Sequence, residues 1–96
     1  MMKEVKVLVV DPVGLHARPA TTVVSAANKF NTGDVVLTYK GREVDMKSIM
    51  GVMSLAIPTQ SEITISCNGE GEEEALETII TILRTQKIID DITVAK

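Results

Sequence analysis

Residues 3–29 read KEVKVLVVDPVGLHARPATTVVSAANK, a strand, a turn and a helix in one unbroken run. Val5, Val7 and Val9 alternate with Lys6, Leu8 and Val10. That period of two predicts a strand over residues 3–10 with one face buried. Asp11-Pro12-Val13-Gly14 is turn chemistry and ends it. Ala20, Val23, Val24 and Ala27 then recur at helical spacing, which predicts a helix from about Ala17 to Lys29. Pro19 costs nothing only in a first turn, where its missing N–H has no acceptor to serve. The helix therefore starts at or next to His16. Asn31-Thr32-Gly33-Asp34 breaks the pattern at its far end.

Working outward, Val35, Leu37 and Tyr39 mark a second strand, and Lys40-Gly41-Arg42 turns it into a short third one over Glu43–Met46. Lys47–Leu55 reads as a short helix with Ser48 as its N-cap. Pro58 and Thr59-Gln60-Ser61 end that region. Ile63, Ile65 and Cys67 alternate with Thr64, Ser66 and Asn68 as a fourth strand. Asn68-Gly69-Glu70-Gly71 turns into a last helix with Leu76, Ile79, Ile80 and Leu83 as its buried stripe. Glu72, Glu73 and Glu74 sit in its first turn, and Arg84 and Lys87 near its end, each on the side the helix dipole favours.

The order β-α-β-β-α-β-α predicts an α+β fold, an open-faced β-sandwich. A four-stranded antiparallel sheet of split-βαβ type carries three helices on one face, which buries all three apolar stripes. The tail Gln86–Lys96 is an extension of undecided structure. Ile88, Ile89, Ile92 and Val94 make it apolar enough either to prolong the last helix or to fold back.

Composition bounds the function. The 96 residues make one domain, residues 1–96, and Phe30 and Tyr39 are its only aromatics, so Val, Ile, Leu, Ala and Met must fill the core. A net charge of −3 argues against nucleic-acid binding, which needs cations against phosphate. No apolar run reaches the ~20 residues of a membrane span. Met1-Met2-Lys3-Glu4-Val5-Lys6 leads into no signal peptide. The lone Cys67 reads as a small buried residue that cannot form an internal disulfide. One His and one Cys far apart give no metal cluster, and no cofactor is expected. These features predict a soluble cytoplasmic protein.

Chemistry concentrates in Gly14-Leu15-His16-Ala17-Arg18-Pro19-Ala20. The only histidine enters a helix, beside backbone N–H groups that suit anions. Arg18 can present a guanidinium fork to a phosphate, and a neutral imidazole is a nucleophile. Local physics leaves two readings open: a phosphoryl acceptor, or a histidine that merely caps the helix.

GLHARPA, together with KSIMGVMSL at residues 47–55, closely resembles the histidine-containing phosphocarrier (HPr) family of the phosphoenolpyruvate-dependent sugar phosphotransferase system, in its Gram-positive form. The likeness runs from the first strand to about Thr85. It implies that His16 is phosphorylated on Nδ1, that Arg18 contacts the phosphoryl group, and that Ala17, Pro19 and Ala20 shape the helix start. It implies enzyme I as donor and the IIA domains of sugar permeases as acceptors. It also implies that Ser48 is a regulatory phosphoserine made by HPr kinase/phosphorylase, with a catabolite control transcription factor as a further partner. Ile49, Met50 and Met53 would form an exposed docking patch. Val13 departs from the Gram-positive pattern, which often has a small polar residue there, and so lacks one possible hydrogen bond to phosphate. Three rival readings are an HPr-like regulatory paralogue acting in catabolite control, an unrelated binding module of ferredoxin-like topology, and a hydrolase using His16 as base. The first is disfavoured because known paralogues lack the histidine, and the last because no paired nucleophile stands nearby.

Overall fold

The structure, a computed structural model, describes residues 2–29 and 33–91. Phe30, Asn31, Thr32, Ile92 and Val94 lie outside the described residues. The elements are β1 (Met2–Val9), α1 (Ala17–Asn28), β2 (Asp34–Tyr39), β3 (Arg42–Asp45), α2 (Ile49–Ser54), β4 (Glu62–Asn68), α3 (Glu72–Thr85) and β5 (Ile89–Asp91).

The sheet order is β3-β2-β4-β1-β5, with β4 antiparallel to both β1 and β2. Strands β1 and β2 thus run parallel with β4 between them, the split-βαβ arrangement expected. Three helices pack on this antiparallel sheet as an open-faced sandwich. The period-two residues face the helices: Val7 pairs with Ile63, Leu37 with Ile65 and Val35 with Cys67, all buried. The helical stripes meet them with Ala20, Val23 and Ala27 from α1 and Leu76, Ile79, Ile80 and Leu83 from α3. Apolar burial of this kind is the main favourable term in folding.

One expectation is corrected. The sheet has five strands, not four. Helix α3 stops at Thr85, and Lys87 takes a left-handed φ of 61° that reverses the chain. Ile88 and Ile89 are then buried, and β5 pairs antiparallel with the outer edge of β1, Ile89 opposite Val9. Two apolar side chains and an otherwise open strand edge are covered in one step. The tail therefore folds back through Asp91 rather than prolonging α3.

Candidate functional site

Helix α1 begins where Pro19 requires. His16 is its N-cap in extended conformation, φ −81° and ψ −170°, and Ala20 N–H donates to His16 O at 2.9 Å. Since Pro19 carries no N–H, the first turn offers the N–H groups of Ala17 and Arg18, which have no acceptor among the described residues. The imidazole makes no cap hydrogen bond. It is 40% exposed. The capping role left open by local physics is not the one it plays.

The two residues before His16 are anchored. Leu15 is buried, and its N–H donates to Ile57 O at 2.9 Å. Gly14 adopts φ +82° with its α-carbon against the Ile57–Thr59 backbone. The ring is thus presented from a fixed backbone rather than from a loose loop.

A residue that sequence reasoning took only for turn chemistry stands beside it. His16 Nε2 lies 3.3 Å from Asp11 Oδ1. The same oxygen accepts the Val13 N–H at 3.0 Å, while Asp11 O accepts the Gly14 N–H at 2.9 Å. An aspartate opening a four-residue turn commonly makes such a bond to its own backbone two residues on. That habit was the available signal: it aims the carboxylate into the turn and toward the residue that leaves it. The side chain of Val13 is exposed and only its backbone takes part.

Arg18 is exposed on the first turn of α1. It lines a cleft of about 100 Å³ with Asp11, Pro19, Thr22, Gln86 and Ile88. Gln86 and Ile88 belong to the tail, so its return also builds a wall beside the site. No group of acidic, His and Cys side chains suited to a metal occurs among the described residues.

Ser48 caps α2 as expected, its Oγ accepting the Gly51 N–H at 3.1 Å. The six-residue helix and its C-cap Leu55 divide their apolar side chains sharply: Val52 and Leu55 are core, while Ile49 is 38%, Met50 80% and Met53 43% exposed. Helices α1 and α2 run antiparallel. Asn28 Nδ2, at the end of α1, donates to Lys47 O at 3.1 Å, and Ile57, past the end of α2, meets Leu15 before the start of α1. Ser48 thus sits beside the end of α1 and His16 at its start, and a helix of 12 residues is ~18 Å long. Cys67 is buried under α3, and burial pushes its thiol up, the Glu72 carboxylate adding to the effect and Lys47 opposing it. It behaves as core.

Comparisons with known proteins match the sequence and the fold. The family model described as the PTS HPr component phosphorylation site matches residues 3–85. The phosphocarrier protein HPr of Mycoplasma pneumoniae is 43% identical over 88 residues, covering 92% of this chain and all of that one. A solved histidine-containing phosphocarrier protein of a mycoplasma superposes with a TM-score of 0.85 at 33% identity, over 92% of this chain and 99% of that one. The phosphocarrier HPr of Bacillus anthracis gives a TM-score of 0.77 at 46% identity, over 84% and 95%. Matched over most of its length in both sequence and fold, the chain belongs to the HPr family, the non-enzymatic phosphocarriers of the phosphotransferase system.

Proposed function

We propose that His16 is the residue that carries the phosphoryl group, accepting it on Nδ1 from phosphorylated enzyme I and giving it to the IIA domains of sugar permeases. The carrying observation is an imidazole spared from capping at a helix N-terminus, with the N–H groups of Ala17 and Arg18 and the Arg18 guanidinium to hand. In acceptance the Nδ1 lone pair forms a bond to phosphorus. The bond from phosphorus to the donor breaks, and its electron pair leaves with the donor. Backbone N–H groups and a guanidinium stabilise the charge on the phosphoryl oxygens in flight. The relay runs in the cytoplasm, and among the described residues no helix is long and apolar enough to cross a membrane. Incubation with enzyme I and phosphoenolpyruvate is expected to put one acid-labile phosphate on His16; an unlabelled wild type rejects the assignment.

Docking falls to the exposed face of α2. Ile49, Met50 and Met53 offer flexible apolar contacts that fit several partner surfaces. Met50→Glu is expected to raise the KM for this chain as a substrate of enzyme I about tenfold, at a stability within ~0.5 kcal/mol of wild type. An unchanged KM removes Met50 from the interface.

Ser48 is the regulatory position, phosphorylated by HPr kinase/phosphorylase. A phosphate there adds about −1.5 to −2 charge. Its oxygens can take over the Gly51 N–H that Oγ now accepts. Too far from His16 to touch it, the phosphate acts on partners across the α2 patch, repelling an acidic donor surface and recruiting a catabolite control transcription factor. Ser48→Ala is expected to abolish labelling by the kinase and ATP and to cost about 0.5–2 kcal/mol through the lost cap. Persistent label on that variant moves the site elsewhere.

A further inference from the structure

We propose that Asp11 is a positioning residue for phosphoryl transfer, holding the His16 ring proton on Nε2 so that the Nδ1 lone pair faces the incoming phosphorus. The proposal rests on His16 being the acceptor. A neutral imidazole carries its proton on one nitrogen or the other, and the partner of that proton selects which. Only the form protonated on Nε2 is nucleophilic at Nδ1. Asp11 Oδ1 is the group 3.3 Å from Nε2. Orienting hydrogen bonds are often long in the unliganded state and tighten only in the reacting complex.

Charge is gained in the reaction itself. When Nδ1 bonds to phosphorus, the ring keeps its Nε2 proton and becomes cationic, beside a fixed carboxylate. On transfer to an acceptor the P–N bond breaks and its electron pair returns to Nδ1. The proton never has to leave, so the ring is ready for the next cycle. The aspartate plays toward the ring the part that a carboxylate plays in an orienting dyad.

Asp11 is held rigidly enough for the task. Its carboxylate accepts the Val13 N–H, its carbonyl accepts the Gly14 N–H, and its own N–H donates to Ile88 O at 3.4 Å. Val10 N–H donates to the same Ile88 carbonyl at 2.9 Å. The returning tail therefore pins the backbone that carries Asp11, which gives the residue leading into the fifth strand a part in the site.

The test uses the full chain with enzyme I and phosphoenolpyruvate, and 15N spectra of the His16 ring. Asp11→Asn keeps an oxygen for the Val13 N–H and removes only the charge. It is expected to lower kcat for acceptance about tenfold, equivalent to about 1.4 kcal/mol, with KM and the unfolding midpoint unchanged. Asp11→Ala is expected to lower kcat further and to shift the ring 15N resonances away from the Nε2–H form. Wild-type kcat in both variants, or ring resonances that do not move, overturns the role of Asp11 while the acceptor assignment stands. A wild type that takes its phosphate elsewhere than His16 overturns both.

Discussion

His16→Ala is expected to abolish phosphoryl uptake completely and to leave the fold intact. The imidazole is substantially exposed and makes no cap bond, so truncating it removes little packing. A stability change within ~0.5 kcal/mol follows for such a surface position. Uptake, by contrast, has no substitute: the chain has a single histidine, and Arg18 and the N–H groups of α1 bind anions but donate no lone pair. Acid-labile label after incubation with enzyme I and phosphoenolpyruvate is the readout, with thermal unfolding as the control. Label surviving at wild-type level in the folded variant removes His16 from the mechanism.

Gly14→Ala is expected to damage both stability and transfer. Gly14 has φ +82°, in the left-handed region, and an added Cβ would sit 2.8 Å from Pro58 C and Thr59 N and in closer conflict with Ile57 O. All of those atoms are backbone, which cannot rotate aside. Strain of the dihedral and displacement of the 57–59 segment together cost roughly 2–4 kcal/mol. The segment that must move is the one that accepts the Leu15 N–H, so the ring of His16 moves with it. Denaturant unfolding and the rate of phosphoryl acceptance measure the two effects. A variant of wild-type stability and rate shows that the turn relaxes freely and does not set the ring.

The elements of this protein are legible in its sequence because each is encoded locally. Alternating valines write β1, a stripe at helical spacing writes α1, and Pro19 limits where α1 can begin. Ser48 announces α2 through its cap. The residues that escaped are those whose roles depend on distant partners. Asp11 looks like any turn aspartate until the ring of His16 is brought beside it. In residues 49–55 a helix of six residues is too short for its spacing to reveal a face, and only packing against α1 and the sheet separates buried Val52 and Leu55 from exposed Ile49, Met50 and Met53.

The family motifs supplied the rest of the functional reading. The single histidine between GL and ARPA, with the α2 segment behind it, carried the resemblance that the comparisons bear out over residues 3–85. Residues 86–91 lie past that match, and their structure follows from the edge of β1 rather than from any motif.

By itself the sequence determined the order of strands and helices, the start of α1 at His16 and the kinship of the chain, because periodicity, proline and caps act within a few residues. Only the tertiary structure decided that the tail closes the sheet as β5, that Asp11 faces Nε2 of His16, and that α2 shows its methionines to solvent. Those outcomes depend on which edge is left unpaired and which surface is left uncovered once the whole chain has packed.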